Sequence, residues 1–316
     1  MSKRLHIALI VPGFSTGEAN WGIPVLLDLV GELARHHDVE VFALRYPHQR
    51  GSYQLAGATV HALGGGVASG PARMPLLVRA LDLLRARQRT WPFDAVHGLW
   101  ADEPGFLAVA FGRLHTCPAL VTLMGGELVA LPAIGYGGQL SRMNRVLAAL
   151  ALRGAHHVTV GSPVLAQIAR HYVEPRRLAM LPLGIDTTLF HPQPGDSALL
   201  PPGRFDLLHV GSLVPVKDQA MLLRALARLA TDHPQVHLHL VGSGPLEGEL
   251  RALARQLGIA HALTFQGEIA HEQLPAYYRA AKLYVHASCY ESQGMVLLEA
   301  LACECAVVGT AVGVLP

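Results

Sequence analysis

The sequence predicts an α/β protein built from two doubly wound domains with parallel sheets. Short β-branched runs alternate with longer helical patterns, which is typical of parallel strands joined by crossover helices. The alternation occurs in two series, and a segment rich in proline and glycine separates them. The 316 residues also exceed the length at which one hydrophobic core usually stops growing. Two α/β domains are therefore expected.

The first series predicts six strands in a domain that covers residues 1–188. Each run is apolar and is bounded by glycine, proline or polar residues. The predicted strands are Ile7–Val11, Val39–Leu44, Ala95–Gly98, Ala119–Leu123, His156–Val160 and Leu178–Leu181. Six such runs are enough for one doubly wound sheet.

A basic amphipathic helix is predicted at Pro75–Arg89 in this domain. Its leucines share one face, and its arginines surround them. Two interpretations are open: a domain helix with its leucines on the sheet and its arginines in water, or a helix lying on an anionic membrane. The first is favoured because such domain helices are common.

The second series predicts five strands in a domain that covers residues 205–316. The strands are Asp206–Val210, Val236–Val241, Leu263–Gln266, Leu283–His286 and Ala306–Gly309, with helices at Met221–Thr231 and Leu246–Leu257. Residues 189–204, rich in proline and glycine, are predicted to be the linker. No helical pattern follows the last strand, and parallel sheets need helices on both faces, so this domain is expected to be incomplete.

Composition favours a soluble, cytoplasmic protein. Hydrophobic residues make up 51% of the chain, but no apolar run reaches the roughly 18 residues of a membrane-spanning helix. The N-terminal residues lack the features of a secretory signal. The formal net charge of +2 gives no reason to expect nucleic acid as a partner.

Neither the cysteines nor the histidines predict a metal site. Cys117, Cys289, Cys303 and Cys305 lack the paired spacing of zinc ligands, and we interpret them as small buried hydrophobic residues. The histidine pairs match no metal-ligand spacing. No role is assigned to the 18 histidines.

The most informative motif places two glutamates, Glu291 and Glu299, after the predicted strand Leu283–His286. Residues Met295–Ala302 are helical in character, so Glu291 lies in a strand-to-helix loop and Glu299 about one turn into the helix. Crevices at the carboxyl ends of parallel strands are the usual ligand sites of open α/β sheets, and the amides of Gly294–Val296 would receive a diphosphate. The acceptor atoms of Glu299 then suit the two hydroxyls of a ribose, which leaves Glu291 for a sugar. The alternative is that both glutamates are solvated residues that complement a helix dipole.

Two further loops are expected at the same edge of the sheet. Gly211–Asp218 follows the strand Asp206–Val210 and contains Lys217, which can neutralise phosphate charge; the alternative is an ordinary exposed lysine. Val241–Pro245 is a glycine turn after the next strand and is a weak signal alone. Together with the acidic motif, these loops surround one crevice.

This combination resembles the large group 1 family of retaining glycosyltransferases (glycosyltransferase family 4), which have the GT-B fold. The resemblance covers nearly the whole chain, and the paired glutamates are its most specific part. The other matching stretches are Pro12–Ser15, Pro182–Asp186 with Phe190 and Pro192, the Lys217 loop, Val241–Pro245 and Phe265–Glu268. The resemblance implies two Rossmann-like domains that face each other across a cleft.

The resemblance also implies an activity and a set of site residues. Relatives transfer a hexose from a nucleotide diphosphate-sugar with retained configuration and without an essential metal, so no cofactor is expected. The implied contacts are Glu291 to the donor sugar, Glu299 to the ribose and Lys217 to the diphosphate. The expected donor-binding residues are Gly13, Gly211, Ser212, Lys217, Gly242, Gly244, Gln266, Glu291, Gly294, Met295, Val296 and Glu299. The expected acceptor is a saccharide or a lipid-linked sugar in cell-surface polysaccharide synthesis, with a peripheral membrane contact as a further expectation.

Three departures from the family pattern stand out. Ser212 occupies a position where many relatives have an arginine, and Met124 to Glu127 replace a His-Gly pair, which makes Glu127 a candidate catalytic stand-in. Cys303 to Val307 lack the usual glycine and proline. These departures leave two alternatives open: a non-catalytic or truncated nucleotide-sugar-binding protein, and a sugar-nucleotide epimerase or hydrolase.

Overall fold

A computed structural model describes residues 3–17, 23–67, 70–193, 199 and 203–315. The chain divides into two compact units, Met1–Leu183 and Gly184–Pro316. This division lies ahead of the expected linker, because Phe190 is only 1% exposed and packs on Tyr278 in the core of the second unit. Linker residues 194–198 and 200–202 lie outside the described residues.

The first unit is built on an eight-stranded sheet in the order β3-β4-β2-β1-β5-β6-β7-β8. The strands are β1 His6–Gly13, β2 Asp38–Tyr46, β3 Gly51–Leu55, β4 Ala58–Ala62, β5 Ala95–Leu99, β6 Ala119–Leu123, β7 His157–Val160 and β8 Leu178–Met180. All six predicted strands are present, and their pairings are parallel. The hairpin of β3 and β4 was not predicted; its two-residue turn uses Ala56 and Gly57 at positive φ, and Ala-Gly is not a recognisable hairpin signal.

Among the described residues of the first unit, five helices pack on this sheet. They are α1 Pro24–His36, α2 Met74–Thr90, α3 Glu103–His115, α4 Arg142–Gly154 and α5 Pro163–Ala169. In α2, Leu76, Leu77, Ala80 and Leu84 are buried in the core. The apolar face of α2 therefore packs on the domain core, as the interpretation of Pro75–Arg89 as a domain helix predicts.

The second unit contains a five-stranded parallel sheet in the order β11-β10-β9-β12-β13. The strands are β9 Phe205–Val210, β10 Val236–Val241, β11 Leu263–Gly267, β12 Leu283–His286 and β13 Val307–Gly309. The helices are α6 Gln219–Asp232, α7 Glu247–Gln256, α8 Leu274–Ala280 and α9 Met295–Ala302. Every predicted strand is present within one residue at each end, since near-continuous apolar runs are typical of parallel strands buried on both faces.

Two hydrophobic cores cover the faces of this second sheet. One lies under α6 and α7 and includes Leu207 and Leu238, and the other lies under α8 and α9 and includes Leu208 and Tyr284. Alternate residues of one strand thus enter opposite cores. An apolar cavity of about 430 Å³ opens beside α6, near the amino ends of β9, β10 and β12. It lies at the opposite ends of these strands from the glutamate motif.

The prediction that the cysteines are small buried residues has a clear outcome. Cys117, Cys303 and Cys305 are buried as expected, but the prediction is wrong for Cys289, which is exposed because it lies in the loop after β12. Among the residues that the structure describes, we find no helix with the length and hydrophobicity to cross a bilayer. The same residues contain no cluster of potential metal ligands.

Candidate functional site

Loops at the carboxyl ends of β9 and β10 are pinned to each other by backbone contacts. The amide of Gly211 donates to the carbonyl of Val241 at 2.9 Å, and the amide of Leu213 donates to Ser243 at 2.8 Å. Gly242 has φ +123°, and a Cβ there would lie 2.2 Å from the Gly211 carbonyl oxygen. Only glycine permits this approach, so the two loops form one rigid rim.

Lys217 and Glu291 meet at this rim. Lys217 ends a 3₁₀ turn, and the loop of Glu291 is tied to that turn because the Cys289 amide donates to the Val216 carbonyl at 2.8 Å. The ammonium of Lys217 lies 2.5 Å from Glu291 Oε1, and Ser288 Oγ donates to the same oxygen at 2.7 Å. The structure thus brings together the two residues to which the sequence assigned diphosphate and sugar.

The surroundings of Glu291 keep its carboxylate ionised. Burial alone would raise its pKa, but contact with His286, the charge of Lys217 and the Ser288 hydroxyl outweigh burial and lower the pKa to about 2. His286 Nε2 lies 3.2 Å from Glu291 Oε1, yet it is buried and outside hydrogen-bond geometry. At neutral pH the site therefore contains an ion pair that is largely shielded from water.

Glu299 lies in α9, where its side chain points toward α8. The residue is only 6% exposed. Tyr278 Oη donates to Glu299 Oε2 at 2.8 Å, and His271 Nε2 lies 3.4 Å from Oε1. Burial raises the pKa of Tyr284, and the charges of Glu291 and Glu299 raise it further. That Glu291 and Glu299 bind one ligand together stays a prediction.

The first turn of α9 contributes backbone amides to this site. Gly294 is the N-cap residue at φ +90°, and no side chain caps the helix. The first amides of any α-helix lack an intrahelical acceptor, so those of Met295 and Val296 are suited to an anion. The helix start and Lys217 supply the positive end of the site.

Sequence reasoning missed a buried histidine beneath the Ser212 loop. His209 donates from Nδ1 to the carbonyl of Val285 at 2.9 Å, so its Nε2 accepts from the amide of Gln219 at 3.3 Å. Gln219 also donates to the Ser212 carbonyl at 2.9 Å. Burial lowers the pKa of His209 to about 4, and the neutral ring is therefore a fixed support. Its position within an apolar strand was the available signal, because a buried polar side chain needs partners.

Gln266 and Gly244 occupy different surroundings from those of the acidic pair. The Gln266 amide contacts His239 Nδ1 at 3.1 Å, and His239 Nε2 in turn lies 2.8 Å from the buried Asp206 carboxylate. A Cβ on Gly244 would lie 2.5 Å from the Leu213 carbonyl oxygen. Gln266 thus belongs to a polar network of the sheet, and Gly244 completes the rim.

The two predicted residues of the first unit, Gly13 and Glu127, hold loops at the carboxyl edge of its own sheet. Gly13 ends β1, where a Cβ would lie 3.0 Å from Tyr46 Cβ. Glu127 is 6% exposed and accepts from the amides of Met124 at 3.0 Å and Gly125 at 2.7 Å. Burial raises the pKa of Glu127 to about 6. The carboxylate of Glu127 thus accepts hydrogen bonds from backbone amides of its own loop. A catalytic role for Glu127 stays a prediction.

Two parallel-sheet Rossmann-like units, one with a cation and an acidic pair at its carboxyl edge, define the GT-B class of glycosyltransferase. Solved structures of this class superpose on the chain. Sucrose-phosphate synthase from Thermosynechococcus elongatus matches with a TM-score of 0.80 and 25% identity over 98% of this chain and 82% of that one. Anabaena HepE, in complex with UDP and glucose, matches with a TM-score of 0.72 and 21% identity over 98% and 82%.

The chain belongs to the group 1 glycosyltransferases. The sequence profile described as "Glycosyl transferase 4-like domain" matches residues 23–184, and that described as "Glycosyl transferases group 1" matches residues 196–316. Similar curated proteins include D-inositol 3-phosphate glycosyltransferases. That of Arthrobacter sp. (strain FB24) is 28% identical over 77% of this chain and 60% of its own length. That of Streptomyces bingchenggensis (strain BCW-1) is 33% identical over 78% and 58%. The chain therefore spans about 60% of the length of these relatives.

Proposed function

We propose that this chain carries the donor site of a retaining glycosyltransferase that moves a hexose from a nucleotide diphosphate-sugar to a saccharide or lipid-linked acceptor. The observation that carries the proposal is the ion pair of Lys217 and Glu291 beside the open start of α9, with Glu299 in the same helix. This edge offers positive groups for a diphosphate and carboxylates for hydroxyls.

The ligand-free contacts suggest how a donor enters. A diphosphate carries more negative charge than Glu291, so it displaces the carboxylate from Lys217 and also takes up the free amides of Met295 and Val296. Glu291 then becomes an acceptor for hydroxyls of the sugar. We propose that these groups stabilise the diphosphate as it leaves, and that no metal is needed for that step.

Retention of configuration is proposed from the distribution of carboxylates in the second unit. After Lys217 has turned to the diphosphate, the Ser288 hydroxyl still donates to Glu291 Oε1, which makes this carboxylate a poor nucleophile for a double displacement. Attack from the face of the leaving diphosphate, whose oxygens accept the acceptor's proton, is the more natural route. Relatives named as D-inositol 3-phosphate glycosyltransferases and a neighbour solved with UDP and glucose support a nucleotide-sugar donor and a hydroxyl acceptor.

The role in cell-surface polysaccharide synthesis, the cytoplasmic location and the peripheral membrane contact stay predictions. The distances among Lys217, Glu291 and Glu299 and their neighbours concern the proposed donor site and carry no information on the acceptor. The donor site is therefore the part of the proposal to test first.

The test combines ligand binding with product analysis. A thermal-shift panel of UDP, ADP and GDP and their glucose conjugates should raise the melting temperature for one base, because a ligand of the folded state stabilises it by mass action. Glu299→Gln should abolish most of that rise, while Glu247→Gln, at a partly exposed residue paired with Arg251 on α7, should keep it. Sugar release without an acceptor would favour a hydrolase, binding without turnover would favour a binding protein, and no shift with any nucleotide would contradict the proposal.

A further inference from the structure

Two side chains of the α8 segment contact the Glu299 carboxylate. Tyr278 Oη donates to Oε2 at 2.8 Å, and His271, in the 3₁₀ turn that precedes α8, places Nε2 at 3.4 Å from Oε1. Within the part of the chain that the structure describes, each carboxylate oxygen thus has one side-chain contact. A carboxylate oxygen can accept at two lone-pair positions, so each oxygen keeps one free position.

Both supporting side chains are themselves fixed. Tyr278 is fully buried, and its ring packs on Tyr284 at 5.7 Å between centroids. Phe190 packs against both of the side chains that contact Glu299. Its ring centroid lies 5.1 Å from that of His271 and 6.1 Å from that of Tyr278. A glutamate has three side-chain torsions, and without these contacts it would sample several orientations.

We propose that Tyr278, assisted by His271, is a positioning residue that presents the two oxygens of Glu299 as a preformed acceptor for the vicinal hydroxyls of a ribose. The inference rests on the proposed donor site. It assigns the selection of ribonucleotides over deoxyribonucleotides to a side chain that touches no ligand. The geometry requires Tyr278 to be a donor, and burial together with the charge of Glu299 raises its pKa well above 10, so the phenol stays protonated.

Fixing the Glu299 carboxylate should affect the binding of ribonucleotides and of deoxyribonucleotides differently. A carboxylate fixed by Tyr278 accepts both hydroxyls at once, whereas a mobile one loses most of the gain from the second hydroxyl. Removing Tyr278 Oη should therefore weaken ribonucleotide binding much more than deoxyribonucleotide binding. A purely structural role would weaken both to the same extent.

The experiment compares Tyr278→Phe with Tyr277→Phe, a partly exposed neighbour in the same helix. Dissociation constants are measured by calorimetry for UDP, ADP and GDP and for their 2′-deoxy counterparts. For the base that binds, the wild-type chain should prefer the ribonucleotide by about tenfold, as expected for one hydrogen bond to a charged group. In Tyr278→Phe the preference should fall to about twofold, with a much smaller change in deoxyribonucleotide affinity than in ribonucleotide affinity, and Tyr277→Phe should match the wild type.

The outcomes separate this inference from the proposed function. If the wild-type chain binds none of the nucleotides, the donor site itself is wrong. If it discriminates and Tyr278→Phe retains the full preference, the positioning role is overturned. Should Tyr278→Phe fail to fold, His271→Ala, which changes a short surface turn, must reduce the same preference, and an unchanged preference there also overturns the inference.

Discussion

Lys217 and Glu291 neutralise each other in the ligand-free chain. The sequence assigned them to different parts of a donor, the diphosphate and the sugar, but their side chains share a contact of 2.5 Å. Each is then unavailable to a ligand until the other is released. We expect this pair to act as a latch, an ion pair that separates only when a strong anion binds, because a charge-assisted hydrogen bond inside a protein is stronger than one in water.

Glu291→Gln should therefore tighten binding of a nucleoside diphosphate while it reduces transfer. The amide no longer holds Lys217 by charge, so the lysine is free for phosphate, and a gain of about 1.5 kcal/mol corresponds to roughly tenfold in dissociation constant. Calorimetry with UDP, ADP and GDP and a radiolabelled transfer assay measure the two effects. Glu247→Gln is the control, and weaker diphosphate binding by Glu291→Gln would contradict the latch.

Residue types in the site were predictable, but their partners were not. Glu291, Glu299 and Lys217 stand in a recognisable spacing after strands, whereas Tyr278 and His271 precede α9 by some twenty residues and carry no signal of their own. Side chains become partners only when α8 and α9 pack side by side. The sequence therefore predicted the charged groups of the candidate site but not the side chains that contact Glu299.

At the scale of the element, the start of α9 depends on one glycine. Gly294 has φ +90°, and a Cβ there would lie 2.8 Å from Leu297 Cδ1. The backbone conformation strongly disfavours a residue with a side chain, and an added Cβ would also require the Leu297 side chain to shift. The free amides that follow owe their direction to this turn.

Gly294→Ala should destabilise the chain by about 1–3 kcal/mol and weaken nucleotide binding, because an L-residue at this φ is strained and the turn must shift. Gly248→Ala is a matched control in α7, where an added Cβ meets nothing within 4 Å. That variant should be stabilised by about 0.5–1 kcal/mol through helix propensity. Denaturant unfolding and thermal shift with UDP, ADP and GDP measure both, and equal stability of the two variants would contradict the account.

Elements of the parallel sheets were predicted well because burial on both faces leaves continuous apolar runs in the sequence. The β3–β4 hairpin was missed because β3 is half exposed and short, and an Ala-Gly turn is not a distinctive signal. Pro75–Arg89 was open to two interpretations until the burial of Leu76 and Leu77 in the core showed where its apolar face lies. Hydrophobic periodicity shows which face of a helix is apolar, but it does not show what packs against that face.

At the scale of the whole molecule, charge is unevenly divided between the two units. The first contains 17 lysines and arginines against 11 acidic residues, and the second contains 8 against 12. Each unit nevertheless contains a shielded carboxylate whose pKa is lowered to about 2. In the first unit, burial opposes ionisation of Glu40, but hydrogen bonds from His61 and Arg87 lower its pKa to about 2. Glu291, with a pKa of about 2, is its counterpart in the second.

Both units should lose stability over the same acid range. A carboxyl whose pKa falls from 4.5 in the unfolded chain to about 2 in the folded chain stabilises the fold above pH 4.5. That contribution, on the order of 3 kcal/mol per site, is lost as pH falls toward 2. Urea unfolding between pH 2 and pH 6 measures it. The variant Glu40→Gln/Glu291→Gln should show a shallower pH dependence than wild type, and the exposed control Glu32→Gln should not; identical slopes would contradict the assignment.

The sequence by itself determined the alternation of strands and helices, the presence of two α/β units and the identity of the charged groups, because hydrophobic periodicity and glycine turns are local properties of the chain. Only the tertiary structure decided that Lys217 is bound to Glu291, that Glu299 is held by Tyr278 and His271, and that the Glu127 carboxylate closes its own loop. Those contacts join residues from separate elements or depend on the exact course of a loop. Their energies arise from burial and distance, which exist only once the chain has folded.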